Sequence, residues 1–152
     1  MKKRIAIVLA ALMACVSLAA CSSGKSANYA DGTYEGTSTT YENTEDGVDA
    51  GSGYGTVSIT IKDNKITDCT FTTYELDGTL KDEDYGKEQG EIANRDFFNK
   101  AQKAVAACDE YASELVQNGQ LDGIDSISGA TYNYNEFKEA VEDALAKAEV
   151  SE

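Results

Sequence analysis

Two short stretches of this 152-residue chain carry side chains able to take on a covalent group. The first is Leu18-Ala19-Ala20-Cys21, a thiol preceded by small residues of the kind a signal peptidase accepts. The second is Asp125-Ser126-Ile127-Ser128-Gly129-Ala130-Thr131: an acid, then a bare turn, then a hydroxyl. A threonine hydroxyl is a weak nucleophile unless a base stands beside it. The chain has no histidine, and no lysine lies close to Thr131 in sequence. Any group on Thr131 must therefore be placed there by another enzyme. Gly129 and Ala130 suit such an approach because they leave the backbone uncrowded. The plainer alternative is that Ser-Gly-Ala-Thr only turns the chain into a helix.

Around Cys21 the composition changes. Lys2, Lys3 and Arg4 precede an apolar run from Ile5 to Leu18, the charged and apolar regions of a secretory signal. The run is shorter than the roughly 20 residues that span a bilayer. Together with Ser22-Ser23 behind it, the cysteine resembles the lipobox of bacterial lipoproteins. That resemblance implies cleavage before Cys21, with residues 1–20 as signal peptide, and a diacylglycerol on the Cys21 thiol. It also implies residence on the outer face of the cytoplasmic membrane. Two acyl chains hold stably where one does not, at about 0.8 kcal/mol per buried methylene. Residues 21–30 then read as the lipidated cysteine and a polar tether, which keeps the domain close to the membrane.

Charge and composition narrow the partners. Without the three signal cations, 10 Lys and Arg face 27 Asp and Glu, a net charge of −17. Such a surface repels nucleic acid and anionic headgroups. Cys69 and Cys108 are the remaining thiols. With no C-x-x-C and no histidine, the composition argues against zinc and haem, and we assign no metal. An oxidising compartment would permit a Cys69–Cys108 disulfide; two buried small apolar residues is the other reading. Asp82-Glu83-Asp84 invites calcium, yet Gly86 and Ala93 stand where an EF-hand loop needs ligands. Gly51-Ser52-Gly53-Tyr54-Gly55 is glycine-rich but precedes a strand, so it is neither a P-loop nor a dinucleotide fingerprint.

The elements that must position these residues follow from periodicity. Asp31 to about Tyr41 is Thr- and Tyr-rich and predicts a first strand. A glycine- and acid-rich loop follows, from Glu42 to Gly55. Val57, Ile59 and Ile61 alternate with polar residues, the mark of a half-buried strand. Asp63-Asn64 predicts a two-residue turn and Lys65 to Tyr74 the returning strand. A parity slip between Ile66 and Cys69 predicts a bulge. The stretch from Glu75 to Gly90 is charged and loop-like. Phe97, Ala101, Val105, Cys108, Ala112 and Leu115 recur at helical spacing within 92–116, and Asn118-Gly119 is a stop. Phe137, Val141 and Leu145 mark a last helix, with Asn133 and Glu136 spaced as a capping box. Strands first and helices after predict an α+β domain: one small antiparallel sheet with two or three helices on one face.

The segment from Asp125 to Thr131 resembles the flavinylation motif of the FMN-binding domain family. In that pattern an acid is followed after two residues by Ser or Thr, Gly, Ala and an acceptor Thr or Ser. Relatives include the C subunit of sodium-translocating NADH:quinone reductase, the G subunit of the Rnf complex, and flavinylated lipoproteins. Asp31-Gly32-Thr33-Tyr34, the hairpin Val57 to Phe71 and the terminal helix extend the likeness over residues 31–150. The resemblance implies FMN as cofactor, joined through its phosphate to Thr131 by a flavin transferase, with Asp125, Ser128, Gly129 and Ala130 as the rest of the site. It further implies a flavoprotein that relays electrons from a membrane redox partner, without substrate chemistry or catalytic residues of its own. Tyr132, Tyr134, Tyr54 and Tyr85 are candidate contacts to the flavin ring. The alternative function is a non-flavinylated surface lipoprotein acting as a binding module.

Overall fold

In the computed structural model the described residues are 27–43 and 51–150. The signal region, Cys21 and most of the tether lie outside them. Strands β1 (Gly32–Thr37), β2 (Tyr54–Lys62) and β3 (Lys65–Tyr74) form an antiparallel sheet in the order β1-β2-β3. Helices α1 (Arg95–Asn118) and α2 (Thr131–Ala148) complete an α+β domain.

The hairpin forms as its alternation dictates. Val57, Ile59 and Ile61 of β2 are buried, while the residues between them are half-buried. Asp63 and Asn64 both take left-handed backbone (φ 52° and 58°), which a tight turn between twisted strands requires and Asp and Asn tolerate. Thr60 pairs with Asp68 but Ile61 pairs with Ile66, leaving Thr67 as the extra residue of a bulge. That bulge lets Ile66, Cys69 and Phe71 all face the core despite their odd spacing. β1 ends at Thr37, short of Tyr41, which makes only an isolated bridge to Gly53.

Both helices cover the apolar face of the sheet, with α1 against β3 and α2 against β1 and β2. α1 starts at Asn94, whose side chain accepts from the Phe97 amide, and stops at left-handed Gly119. Ala140, Ala144 and Ala148 are buried along α2, and this small-residue face lets the helix come very close to β1. A Cβ on Gly36 would stand 1.9 Å from the Ala140 carbonyl oxygen. Cys69 and Cys108 are both free and buried. Burial pushes the Cys69 thiol up to about 12 and raises that of Cys108, so neither is a thiolate at neutral pH. Of the two readings of this pair, buried thiols is the one found.

The start of α2 corrects the sequence reading. Asn133 is not its cap: the helix begins at Thr131, behind Ala130, with no side-chain cap. Asn133 is buried instead and donates through Nδ2 to the Ala104 carbonyl (3.0 Å) and to the Cys108 sulfur (3.4 Å). Glu136 is also buried. The capping-box spacing is present, but α1 takes the asparagine amide and the sheet covers the glutamate.

Candidate functional site

The motif loop joins α1 to α2, and the Tyr111 hydroxyl holds it at two points. Tyr111 of α1, fully buried, accepts from the Ile127 amide (2.9 Å) and donates to the Ala130 carbonyl (3.2 Å). Those bonds fix the loop on both sides of Ser128-Gly129. Gly129 has φ 87°, a left-handed conformation that glycine adopts without strain, so the motif's glycine is required by the turn itself. Ala130 is buried and anchors the turn; Asp125, Ser126, Ser128, Gly129 and Thr131 are exposed. Ser126 Oγ lies 3.4 Å from Thr131 Oγ1. Sequence reasoning missed Tyr111: its place three positions after Cys108 was the available signal, but its hydroxyl role depends on a loop folded back from residues 124–130.

Thr131 is thus the first residue of α2, closer to the helix end than the capping-box reading places it. The first helical bond runs from the Tyr134 amide to the Ala130 carbonyl. The amides of Thr131, Tyr132 and Asn133 precede it, at the positive end of the helix dipole.

Beside the loop opens a cleft of about 140 Å³, bordered by Gly129, Ala130, Tyr132, Lys81, Lys100 and Tyr85. The absence of a lysine near Thr131 in sequence does not hold in space. A Cβ on Gly129 would lie 3.7 Å from Lys103 Nζ, and Lys81 and Lys100 line the cleft itself. Three cations gather here on a chain of net charge −14. Lys81 is 6% exposed, although it stands in a charged run read as loop; its Nζ donates to the Gly51 carbonyl (3.5 Å) and lies 5.3 Å from the Tyr85 ring centre.

The glycine-rich segment leading into β2 runs beside the cleft, with Gly51 on its border. A Cβ on Gly51 would meet the Tyr132 ring at 3.0 Å, one on Gly53 would meet Lys81 Nζ at 2.8 Å, and one on Gly55 would meet Glu136 Cβ at 3.1 Å. At Gly53 and Gly55 the strand β3 comes closer still, with the Tyr74 oxygen at 1.8 Å and the Phe71 ring at 2.6 Å from the added Cβ. Of the four tyrosines proposed from sequence, Tyr132 and Tyr85 border the cleft. Tyr132 is exposed and stacks on Tyr41 with ring centres 4.7 Å apart. Tyr134 turns to the core and donates to the Ile124 carbonyl (2.8 Å), and Tyr54 stacks on Tyr74.

A second cleft on the other side of Tyr132 contains Thr39, Tyr41, Glu136 and Glu139. Glu136 is 4% exposed, and neither carboxyl oxygen has a hydrogen-bond partner. Burial raises its pKa from 4.5 to about 7; Lys81 opposes the rise and Glu139 adds to it. The folded protein therefore binds a proton at Glu136 that the unfolded chain has released, between about pH 4.5 and 7. Stability through this group is lost as pH rises across that window. We expect Glu136→Gln to be more stable than wild type above pH 7, by up to about 3 kcal/mol, with the difference vanishing near pH 4.5. Urea unfolding from pH 4.5 to 8 measures this; a difference independent of pH would contradict it.

Among the described residues, no group of three or more acidic or cysteine side chains could hold a metal, and no helix is long and apolar enough to cross a membrane.

A sequence model of the FMN-binding domain matches residues 30–146. No curated protein matches the chain. Among solved structures, the chain is similar to the crystal structure of the CPE2226 protein from Clostridium perfringens. The identity is 24%, over 79% of this chain and 88% of that one, with a TM-score of 0.54; this likeness concerns the fold. A solution structure of a Clostridium thermocellum protein is 21% identical over 75% of this chain and 91% of that one, with a TM-score of 0.35. The match to the FMN-binding domain runs from the residues just before β1 nearly to the end of α2 and takes in the Thr131 loop; this chain belongs to the FMN-binding domain family, and FMN is its cofactor.

Proposed function

We propose that this protein is a lipid-anchored flavoprotein outside the cytoplasmic membrane, which carries FMN covalently on Thr131 and relays electrons between partners. The observation that carries the reading is the placement of Thr131: an exposed hydroxyl at the first residue of α2, beside a lysine-lined cleft. The residues present fit a phosphodiester. Lys81, Lys100 and Lys103 supply positive charge, and the amides opening α2 supply donors, which is how helix ends hold phosphate. Tyr85 and Tyr132 offer ring faces at the cleft. When bound, FMN supplies the redox chemistry, and the protein supplies position and electrostatics.

The chain's own residues explain why attachment needs a transferase. Ser126 touches Thr131 but a hydroxyl is no base, and the chain has no histidine to serve as one. Attachment joins Thr131 Oγ1 to the FMN phosphorus of FAD, with AMP leaving and the hydroxyl proton passing to the transferase. Exposure of the loop suits that encounter. The same exposure supports relay over storage. A ring tethered here stays largely accessible to soluble partners.

Co-expression with a flavin transferase tests the reading. A flavin that survives denaturation, with one FMN phosphate on the peptide containing Thr131, is expected; a colourless protein would favour the binding-module alternative. For the anchor, Cys21→Ala should block acylation and leave the precursor uncleaved. A mutant that is correctly processed and still partitions into detergent would refute the lipoprotein assignment.

A further inference from the structure

Glu136 has no part in attachment, yet it is buried with both carboxyl oxygens unpartnered, the only such side-chain atoms among the described residues. Lys81 is the cation whose charge acts on the Glu136 carboxyl group, and both side chains are nearly excluded from water. A Cβ on Gly53 would stand 2.8 Å from Lys81 Nζ and one on Gly55 3.1 Å from Glu136 Cβ, so bare backbone lies beside both. Lys81 also borders the cleft beside the Thr131 loop, whereas Glu136 borders the cleft on the far side of Tyr132. The ammonium thus lines the first cleft while its charge reaches the carboxyl group of the second.

We infer that Glu136 is the proton-holding residue of the redox site, binding a proton from solvent when the cofactor is reduced and releasing it on reoxidation. The inference rests on the flavoprotein reading above. An electron delivered by an external reductant adds negative charge to the lysine-lined cleft. That charge competes for the field of Lys81, the cation that supports an ionised Glu136. The carboxylate then takes a proton from water through the Thr39–Tyr41 cleft, forming one O–H bond and breaking none in the protein. Reoxidation reverses each transfer. The other titratable groups around Glu136 are Cys108 of α1, Tyr41 after β1, and Glu139, Lys138 and Glu142 of α2. Cys108 stays protonated, because burial raises its pKa. Glu139 is held by the Thr39 amide and hydroxyl. Lys138 is turned over the Tyr134 ring. A pKa near 7 leaves Glu136 about half protonated at neutral pH, where a modest change in local charge moves it furthest.

The test is a carboxyl ¹³C titration of glutamate-labelled, flavin-loaded protein, oxidised and dithionite-reduced, with the Glu136 signal identified by its loss in Glu136→Gln. The expected result is a midpoint near 7 in the oxidised protein, rising by roughly one pH unit or more on reduction. Redox potentials measured over the same pH range should vary less steeply in Glu136→Gln than in wild type. Should Glu136→Gln fail to fold, backbone-based assignment of the wild-type signal leaves the titration decisive. An identical midpoint in both redox states of protein that carries flavin overturns the inference alone. Absence of denaturation-resistant flavin overturns the reading beneath it as well.

Discussion

Thr131→Ala is expected to abolish covalent flavin completely, while Thr131→Ser retains part of it. The contrast separates chemistry from folding. Thr131 is exposed, and its hydroxyl meets only the 3.4 Å approach of Ser126 among the described side chains, so removing it leaves the packing of α2 intact. A surface change of this kind alters stability by no more than about 0.5 kcal/mol. The alanine variant should therefore melt like wild type and remain colourless after denaturation, and peptide mass mapping should find no FMN adduct. Serine keeps a hydroxyl on the same backbone but without the methyl that restricts its rotamers, so transfer continues at reduced yield. Covalent flavin persisting in Thr131→Ala would remove the site assignment.

The second large effect concerns the packing that places Thr131. Gly36 of β1 lies directly against the backbone of α2, where an added Cβ would stand 1.9 Å from the Ala140 oxygen and 2.6 Å from the Ala144 nitrogen. Neither atom can rotate away as a side-chain end could. Gly36→Val must push the helix off the sheet, exposing the face that buries Phe137, Val141 and Ala144. Overpacking usually costs about 1–3 kcal/mol, and a clash with backbone belongs at or above the top of that range. A loss of about 3 kcal/mol lowers Tm by roughly 10–20 °C in a domain of this size. Flavin loading should fall with it, since α2 carries the acceptor and one wall of the cleft. Thermal unfolding followed by circular dichroism reads the effect; an unchanged Tm would mean that α2 does not pack on β1 this closely.

Local signals in the sequence carried the sheet and helices well. The β2–β3 hairpin was legible because alternation, the Asp63-Asn64 turn and the parity slip at Thr67 are all properties of adjacent residues. The end of α1 was legible for the same reason, in Asn118-Gly119. The start of α2 was not. Asn133 and Glu136 have the spacing of a capping box, but burial against α1 and the sheet outweighed the local pattern. The motif's residues could be named, with Gly129 read as bare backbone and not as the left-handed turn it makes, whereas their surroundings could not. Lys81 sits in a run of charge, and its burial is met by bare backbone at Gly53, where a Cβ would stand 2.8 Å from Nζ, and by the Gly51 carbonyl. Lys103 lies 28 residues from Thr131 in sequence and reaches the loop through the packing of α1. The same long-range origin hides Tyr111, whose ring reads as core while its hydroxyl organises the loop.

Electron exchange with soluble acceptors tests the relay account most directly. The lysines of the cleft are matched to the phosphodiester they would hold, so an approaching acceptor meets the field of an acidic surface, net −14 over the whole chain. Screening sets in over about 8 Å at physiological ionic strength. Stopped-flow oxidation of the reduced, flavin-loaded protein by cationic and anionic acceptors of equal potential, over a salt series, reads both accessibility and charge. The account predicts rapid oxidation, faster with the cationic acceptor at low salt, and a gap that narrows as salt rises. Rates that are negligible with every acceptor, together with flavin fluorescence closed to soluble quenchers, would show a sequestered cofactor and contradict it.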